Sequence, residues 1–224
     1  MRAINIKVGD MTSFQVKDMR INHCPNEHVA LALEGYISEI EVEKVQRLAL
    51  EDEVVQVSAI EDGFAWKCFG LIYDIELQHL LHEKYLKLTL ISQSVKMDQE
   101  RKTRSFQNNG TMISEIIEYV CKDYNAVVTI NGTDKKMDEM VVQYQETDWE
   151  FIKRLASQMN QQIIVHSNYA GLVFDVGLAS KGSMASDGIM MPIFRKDIQA
   201  LRRELDYELS EAEVEIIIFE SRVL

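Results

Sequence analysis

Nowhere does this 224-residue sequence run apolar for the roughly 20 residues that a membrane-spanning helix needs. The run Ile216 to Phe219 is only strand-sized, so no membrane insertion by the chain itself is expected. Cysteine is scarce: Cys24, Cys68 and Cys121 are odd in number, far apart and form no CxxC pair. That excludes a disulfide framework and a zinc site, and reads as buried thiols in a reducing compartment. Positive charge is also short, with 24 Lys and Arg against 36 Asp and Glu and a net charge of −12. Phosphate backbones call for a cationic footprint, so no nucleic-acid partner is expected. The locally basic runs Arg101-Lys102-Thr103-Arg104 and Arg202-Arg203 read as solvated surface, the first in a loop-like connection and the second on a helix face. Residues Met1 to Met11 lack a signal-peptide pattern and alternate Ile4, Ile6 and Val8 with polar residues, as a first strand does. Synthesis in the cytoplasm is the expectation. No internal repeat or low-complexity tract is present.

Catalytic signatures are equally thin. The sequence has no GxSxG elbow, Walker phosphate loop, GxGxxG or HExxH. His79 and His82 are three apart on or beside a strand, which points them to opposite faces, so they read as solvated hairpin residues. His166 next to Ser167 is unremarkable, and no two of the many carboxylates are marked as buried partners. No catalytic, cofactor-binding or metal-ligating residue is assigned, no cofactor is expected, and the chain reads as a non-enzyme.

What the sequence does contain is clear periodicity. Strands are expected at Ala3–Val8, Phe14–His23, His28–Ile37, Glu53–Ala59, Phe64–Gln78 and Tyr85–Ile91. Phe69, Leu71, Tyr73, Ile75 and Leu77 are read as one face of the fifth; Leu86, Leu88 and Leu90 are one face of the sixth, opposite Lys87 and Thr89. The short link Leu81-His82-Glu83-Lys84 makes these two a hairpin. In the second strand the phase slips from Phe14 and Val16 to Met19 and Ile21, which predicts a bulge near Asp18. Ser38 to Leu50, with Ile40, Val42 and Val45, reads as a short helix or an irregular strand, a helical turn being the favoured form. Residues 93 to 110 are crowded with charge and close on Asn108-Asn109-Gly110, so they read as a linker and turn.

Thr111 is expected to cap a helix whose Ile113, Ile116, Ile117, Val120, Cys121 and Tyr124 form its core face. Strands follow at Ala126–Ile130, Met140–Tyr144, Ile163–Val165 and Leu172–Val176, with the turn Asn131-Gly132 after the first. A loose stretch runs from Gly177 through Gly182 to Gly188, a helix is expected after Pro192, and a last strand spans Glu213 to Leu224.

The most informative segment is Gln145 to Ala156. Thr147 and Glu150 have the spacing of a capping box, in which each side chain satisfies a backbone donor orphaned at a helix start. Asp148 and Glu150 then occupy the first turn, where the helix dipole favours negative charge. Trp149, Phe151, Ile152, Leu155, Ala156 and Met159 share the apolar face, and Lys153, Arg154 and Ser157 take the other side. Glu146 replaces the apolar residue of a hydrophobic staple, and Trp149 reads as core rather than as a binding aromatic.

Thr147-Asp148-Trp149-Glu150-Phe151-Ile152-Lys153-Arg154-Leu155, followed by two apolar strands, resembles the baseplate hub proteins of contractile injection systems. That family includes the phage late control protein D and the hub half of type VI secretion spikes. Phe69-Gly70-Leu71-Ile72, and Ser92 through Asp98 leading to Arg104-Ser105-Phe106-Gln107, resemble the same family in the same order, so the likeness covers about residues 64 to 176. The motif residues are Phe69, Gly70, Asp98, Ser105, Phe106, Thr147, Asp148, Trp149, Phe151, Arg154 and Leu155, and their implied role is structural.

The resemblance implies a mixed β and α+β fold, small β-barrels with an α/β insertion. Its expected divisions are an N-terminal barrel over 1–95, an α/β domain over 96–176, and a segment over 177–224 that completes a second barrel. It also implies a homotrimer that joins a threefold spike, as a separate protein or a following domain, to a sixfold tail tube. Other baseplate subunits are the remaining partners, and the assembled phage tail or injection machine is the destination. Many relatives continue into a further barrel and spike, whereas this sequence stops at Leu224. The competing readings are a phage-tail peptidoglycan hydrolase, which requires a cleft with paired carboxylates or a Cys-His pair, and a generic α+β binding module with a ligand pocket.

Overall fold

Alternating apolar and polar residues in the first ninety positions pair into one antiparallel sheet in the computed structural model, which describes residues 5–50, 53–61, 64–80, 83–107, 110–137, 139–177 and 214–219. Its strands are β1 (Asn5–Val8), β2 (Gln15–Asn22), β3 (Ala30–Ile37), β4 (Val54–Glu61), β5 (Phe64–Leu80) and β6 (Glu83–Ile91), in the order β1-β4-β5-β6-β3-β2. The 17-residue β5 serves several neighbours: Phe64–Leu71 pairs with β4, and Leu71–Leu80 pairs with β6 in the expected hairpin. Its Ile75–Leu80 stretch also pairs with β12 (Val214–Phe219).

Val8 from β1, Val55 and Val57 from β4, and Leu31 and Leu33 from β3 enter one apolar cluster with Leu86, Leu88 and Leu90 of β6. Val16, Met19 and Ile21 of the terminal strand β2 pack on the same cluster. Both ends of the strand order thus reach one core, so the sheet is curled into a half-barrel; β1 and β2 are not paired with each other among the described residues.

Ser38 to Leu50 forms more than a turn. Helix α1 spans Glu39–Leu50, with Val42, Val45 and Leu48 on the barrel core. Glu41 in its first turn is 2% exposed and accepts from Thr12 N at 3.1 Å and Thr12 Oγ1 at 2.8 Å, tying the helix to the chain between β1 and β2.

Two bulges set which side chains face inward. The first falls between Val16 and Asp18, as the phase slip predicts, opposite Gly35. A Cβ on Gly35 would lie 2.1 Å from the Gln15 carbonyl, so only glycine fits there. The second bulge, between Ile72 and Asp74, corrects the expected face of β5. Cys68 and Ile72 point to the core before it and Ile75 and Leu77 after it, while Tyr73 is 51% exposed. An extra residue in an antiparallel strand inverts the phase beyond it.

The second compact unit draws on His23–Val29 and Ser92–Gly188, the first on Met1–Asn22, Ala30–Ile91 and Ile189–Leu224. Residues 93 to 107 are not a linker: Gln93–Asp98 is a 3-10 helix, and Arg101–Phe106 is strand β7. β7 pairs antiparallel with β9 (Val141–Thr147). Helix α2 (Ile113–Cys121) begins at Met112 rather than Thr111, and Met112 N donates to the Glu115 carboxylate at 3.1 Å. Strand β8 (Val127–Ile130), helix α3 (Asp148–Gln158), and strands β10 (Ile163–His166) and β11 (Val173–Val176) complete the unit, with sheet order β10-β11-β8. The pair β8/β11 is parallel and β10/β11 antiparallel. Ile113, Ile116, Ile117, Val120 and Cys121 are buried on α2, as expected, and Tyr124 is half-buried.

Cys68 and Cys121 are buried but Cys24 is exposed, which corrects the reading of all three as core thiols. Burial pushes the Cys121 thiol up to about 12. His82, the stretch from Gly182 to Gly188, the helix after Pro192 and the end at Val223-Leu224 lie outside the described residues. Among the described residues no helix is long and apolar enough to cross a membrane.

Candidate functional site

The polar residues of the second unit converge on the start of α3. Thr147 is extended and its Oγ1 accepts from Glu150 N at 3.1 Å, while Thr147 N donates to Glu150 Oε2 at 3.0 Å. The capping box is therefore formed as the spacing predicts. Thr147 Oγ1 also donates to Asp98, which ties the cap to the end of the 3-10 helix.

Asp148, the first helical residue, has no exposed surface. Its carboxylate accepts from Lys102 Nζ at 2.9 Å, Tyr124 Oη at 2.7 Å, Gln143 Nε2 at 2.9 Å and the Arg104 guanidinium. Burial is the largest influence and raises its pKa, but the hydrogen bonds from Lys102, Gln143, Tyr124 and Arg104 together outweigh it and hold the carboxyl below its ordinary value. Burial lowers Lys102, yet its bonds to Asp148 and Tyr124 keep the ammonium above its ordinary value. The cluster is therefore a fixed ion pair rather than a proton donor.

The basic run at 101–104 is thus no solvated loop. Lys102 and Arg104, two apart on β7, share a face and both reach Asp148, and both also lie within 3.6 Å of Asp123. Period-2 spacing of two cations was the available signal, though nothing local names their buried partner. Gln143 and Tyr124 carried no comparable signal.

Trp149 is 1% exposed and packs on His28, ring centroids 4.7 Å apart, and edge-on to Phe174 at 6.0 Å. It is a core residue, as expected. Phe106 stacks on buried Phe151 at 5.8 Å, and Leu155 is fully buried. Arg154 forks onto Glu146 at 2.9 and 2.8 Å, donates to Val142 O at 2.7 Å and lies over the Phe151 ring. Ser105 is exposed on β7, where its hydroxyl accepts from Gln107 at 3.4 Å. Phe69 and Gly70 belong to β5 in the first unit, where a Cβ on Gly70 would meet Ile91 O at 2.9 Å.

His28 contacts Ser94 Oγ through Nδ1 at 2.7 Å and Asp98 through Nε2 at 3.4 Å. The residue types are those of a hydrolytic triad, but the two ring nitrogens are exchanged relative to one and Ser94 is 1% exposed, so its hydroxyl cannot meet a bulky substrate. Among the described residues, no group of three or more His, Cys, Asp or Glu is placed to hold a metal. A shallow 340 Å³ cavity is lined by Lys135, Lys136, Glu139 and Gln158 among apolar residues, with no Ser, Thr, Cys or His in its lining.

One unit is thus a curled antiparallel half-barrel, and the other an α/β unit held together internally by a buried aspartate. The chain belongs to the phage tail baseplate hub (GPD) family, whose model matches residues 35–160, more than half of the 224. Every motif residue from Phe69 to Leu155 falls inside that span. The family is one of tail baseplate hubs.

The fold is similar to the 43 kDa tail protein of prophage MuSo2 from Shewanella oneidensis (TM-score 0.59, 17% identity, 80% of this chain and 53% of that one). It is also similar to the Escherichia coli c3393 protein, a type VI secretion component with structural similarity to phage T4 tail proteins gp27 and gp5 (TM-score 0.56, 13% identity, 77% and 48%). The Francisella PdpA–VgrG complex gives a TM-score of 0.50 at 9% identity over 81% of this chain and 32% of that one. The chain spans about half the length of the first two of these structures. No curated protein sequence matches it.

Proposed function

We propose that this chain is the hub subunit of a contractile injection machine, a phage tail, tailocin or secretion-system baseplate, and that three copies join a threefold spike to a sixfold tail tube. The observation that carries the reading is the baseplate hub family match across residues 35–160 on a curled half-barrel. In this reading each chain presents two similar barrels, so a trimer offers six tube-facing positions and nucleates the first tube ring. The division into a barrel over 1–95, an α/β domain over 96–176 and a second-barrel segment over 177–224 belongs to the same proposal. Pairing of β12 with β5 supports a return of the C-terminal segment to the first sheet.

The motif residues contribute by framing rather than by contact. Asp148, Trp149, Phe151 and Leu155 are buried, so they set the shape of the second unit and leave docking to exposed strands and loops. Partners are the spike, the tube protein and other baseplate subunits, reached after cytoplasmic synthesis. Co-incubation with the tail tube protein of the same machine tests the proposal by electron microscopy. Tube rings or short tubes seeded at this chain are expected; tube assembly with unchanged lag and no bound hub would refute it.

A further inference from the structure

The segment between β2 and β3, His23–Val29, packs with the second unit. Asn26 N donates to Ile163 O at 2.8 Å and Asn26 Oδ1 accepts from Ile163 N at 2.9 Å, so one residue occupies the edge of β10 as a strand would. At the other end, Val29 O accepts from Ser92 N at 2.8 Å and Val29 N donates to Ser92 Oγ at 3.0 Å. Between these anchors His28 lies against Trp149.

The hydroxyls around His28 form a directed chain. Asp98 faces Nε2 and only accepts, so the neutral ring carries its proton on Nε2 and leaves Nδ1 as an acceptor. Ser94 Oγ, 2.7 Å from Nδ1, must then donate to it, and Ser92 Oγ, 2.7 Å further on, donates to Ser94. A second proton on the ring goes to Nδ1 and meets the Ser94 hydroxyl hydrogen. Ser94 then has to turn toward Ser92, and the Ser92 proton loses its acceptor where both hydroxyls are buried. We propose that His28 makes His23–Val29 an acid-released strap: protonating its imidazole reverses the hydroxyl chain that seats it, leaves the buried Ser92 proton without its acceptor and frees the segment from β10 and Trp149.

The surrounding charges bear on this. Asp98 at the end of the 3-10 helix favours a charged His28 and Lys153 on α3 opposes it; burial is the larger influence and holds His28 below its ordinary value. His23 is held low in the same way, first by burial and then by His166 on β10, against a hydrogen bond to the Val165 backbone. His166 itself pairs with Asp175 of β11 at 3.1 Å. On the segment's own chain Glu27 is exposed. Both histidines lie below their ordinary value when seated and regain about 6.5 when released, so the seated form is fully favoured above that pH and loses ground as pH falls toward the lower, seated values.

Hydrogen exchange of the whole chain between pH 7.5 and 5, with the intrinsic pH dependence divided out, tests the strap. Protection at residues 23–29 and at Ile163 is expected to fall about tenfold per pH unit below ~6.5 for each proton taken up, while α2 stays protected. His28→Gln keeps a donor toward Asp98 and is expected to lower that slope by one proton. Unchanged protection in the wild type, or an unchanged slope in H28Q, would overturn the proposal. Should H28Q not fold, an NMR titration of the wild-type imidazoles decides: a His28 value below 6.5 that tracks the exchange supports it, and one at or above 6.5 overturns it.

Discussion

Lys102 Nζ sits 2.9 Å from the carboxylate of Asp148, a side chain with no exposed surface, and Arg104 reaches the same group from two residues along the strand. Removing the acid leaves two half-buried cations with only the exposed Asp123 carboxylate, at 3.4–3.6 Å, to balance them. Asp148→Ala is expected to destabilise the second unit by about 3–5 kcal/mol, and Asp148→Asn by less because it keeps an acceptor. Urea unfolding followed by far-UV circular dichroism measures both.

The same carboxylate has a pH signature. Its folded value lies below the ordinary 3.8, so its stabilising contribution is present above about that pH and is lost as pH falls through the folded value. Unfolding free energy measured from pH 6 to pH 2.5 is expected to drop in wild type more steeply than in D148N. Parallel curves would show that Asp148 is not the titrating group.

Thr147 both caps α3 and bonds Asp98. Thr147→Ala is expected to cost about 1–2 kcal/mol, and Thr147→Ser much less, since the serine hydroxyl can still accept from Glu150 N. Thermal melts of the two variants give the comparison.

Glycines in the first unit offer a graded test of packing. A Cβ on Gly35 would lie 2.1 Å from a backbone oxygen, against 2.9 Å for Gly70. Gly35→Ala is expected to cost about 3 kcal/mol or more and Gly70→Ala about 1–3 kcal/mol. Chemical denaturation should preserve that order.

Much of this was legible from short-range pattern alone. The Thr147 capping box, the inward Leu86, Leu88 and Leu90, and the slip near Asp18 all follow from neighbours in sequence. The failures share a physical cause. Tyr73 points outward because a bulge at Ile72–Asp74 inverts the strand phase, an event set by pairing with β6 rather than by local composition. Lys102 and Arg104 looked solvated because their partner, Asp148, lies more than forty residues away and is read locally as a helix-dipole residue. The polar node at α3 could be half read, its cap from spacing but its buried ion pair only from the fold.

The hub account stands most directly on the mass of the purified protein in solution, measured by light scattering over a range of concentrations. A concentration-independent species of three times the 25.8 kDa chain is the expected result. A persistent species of 25.8 kDa at every concentration would contradict a trimeric hub formed by this chain.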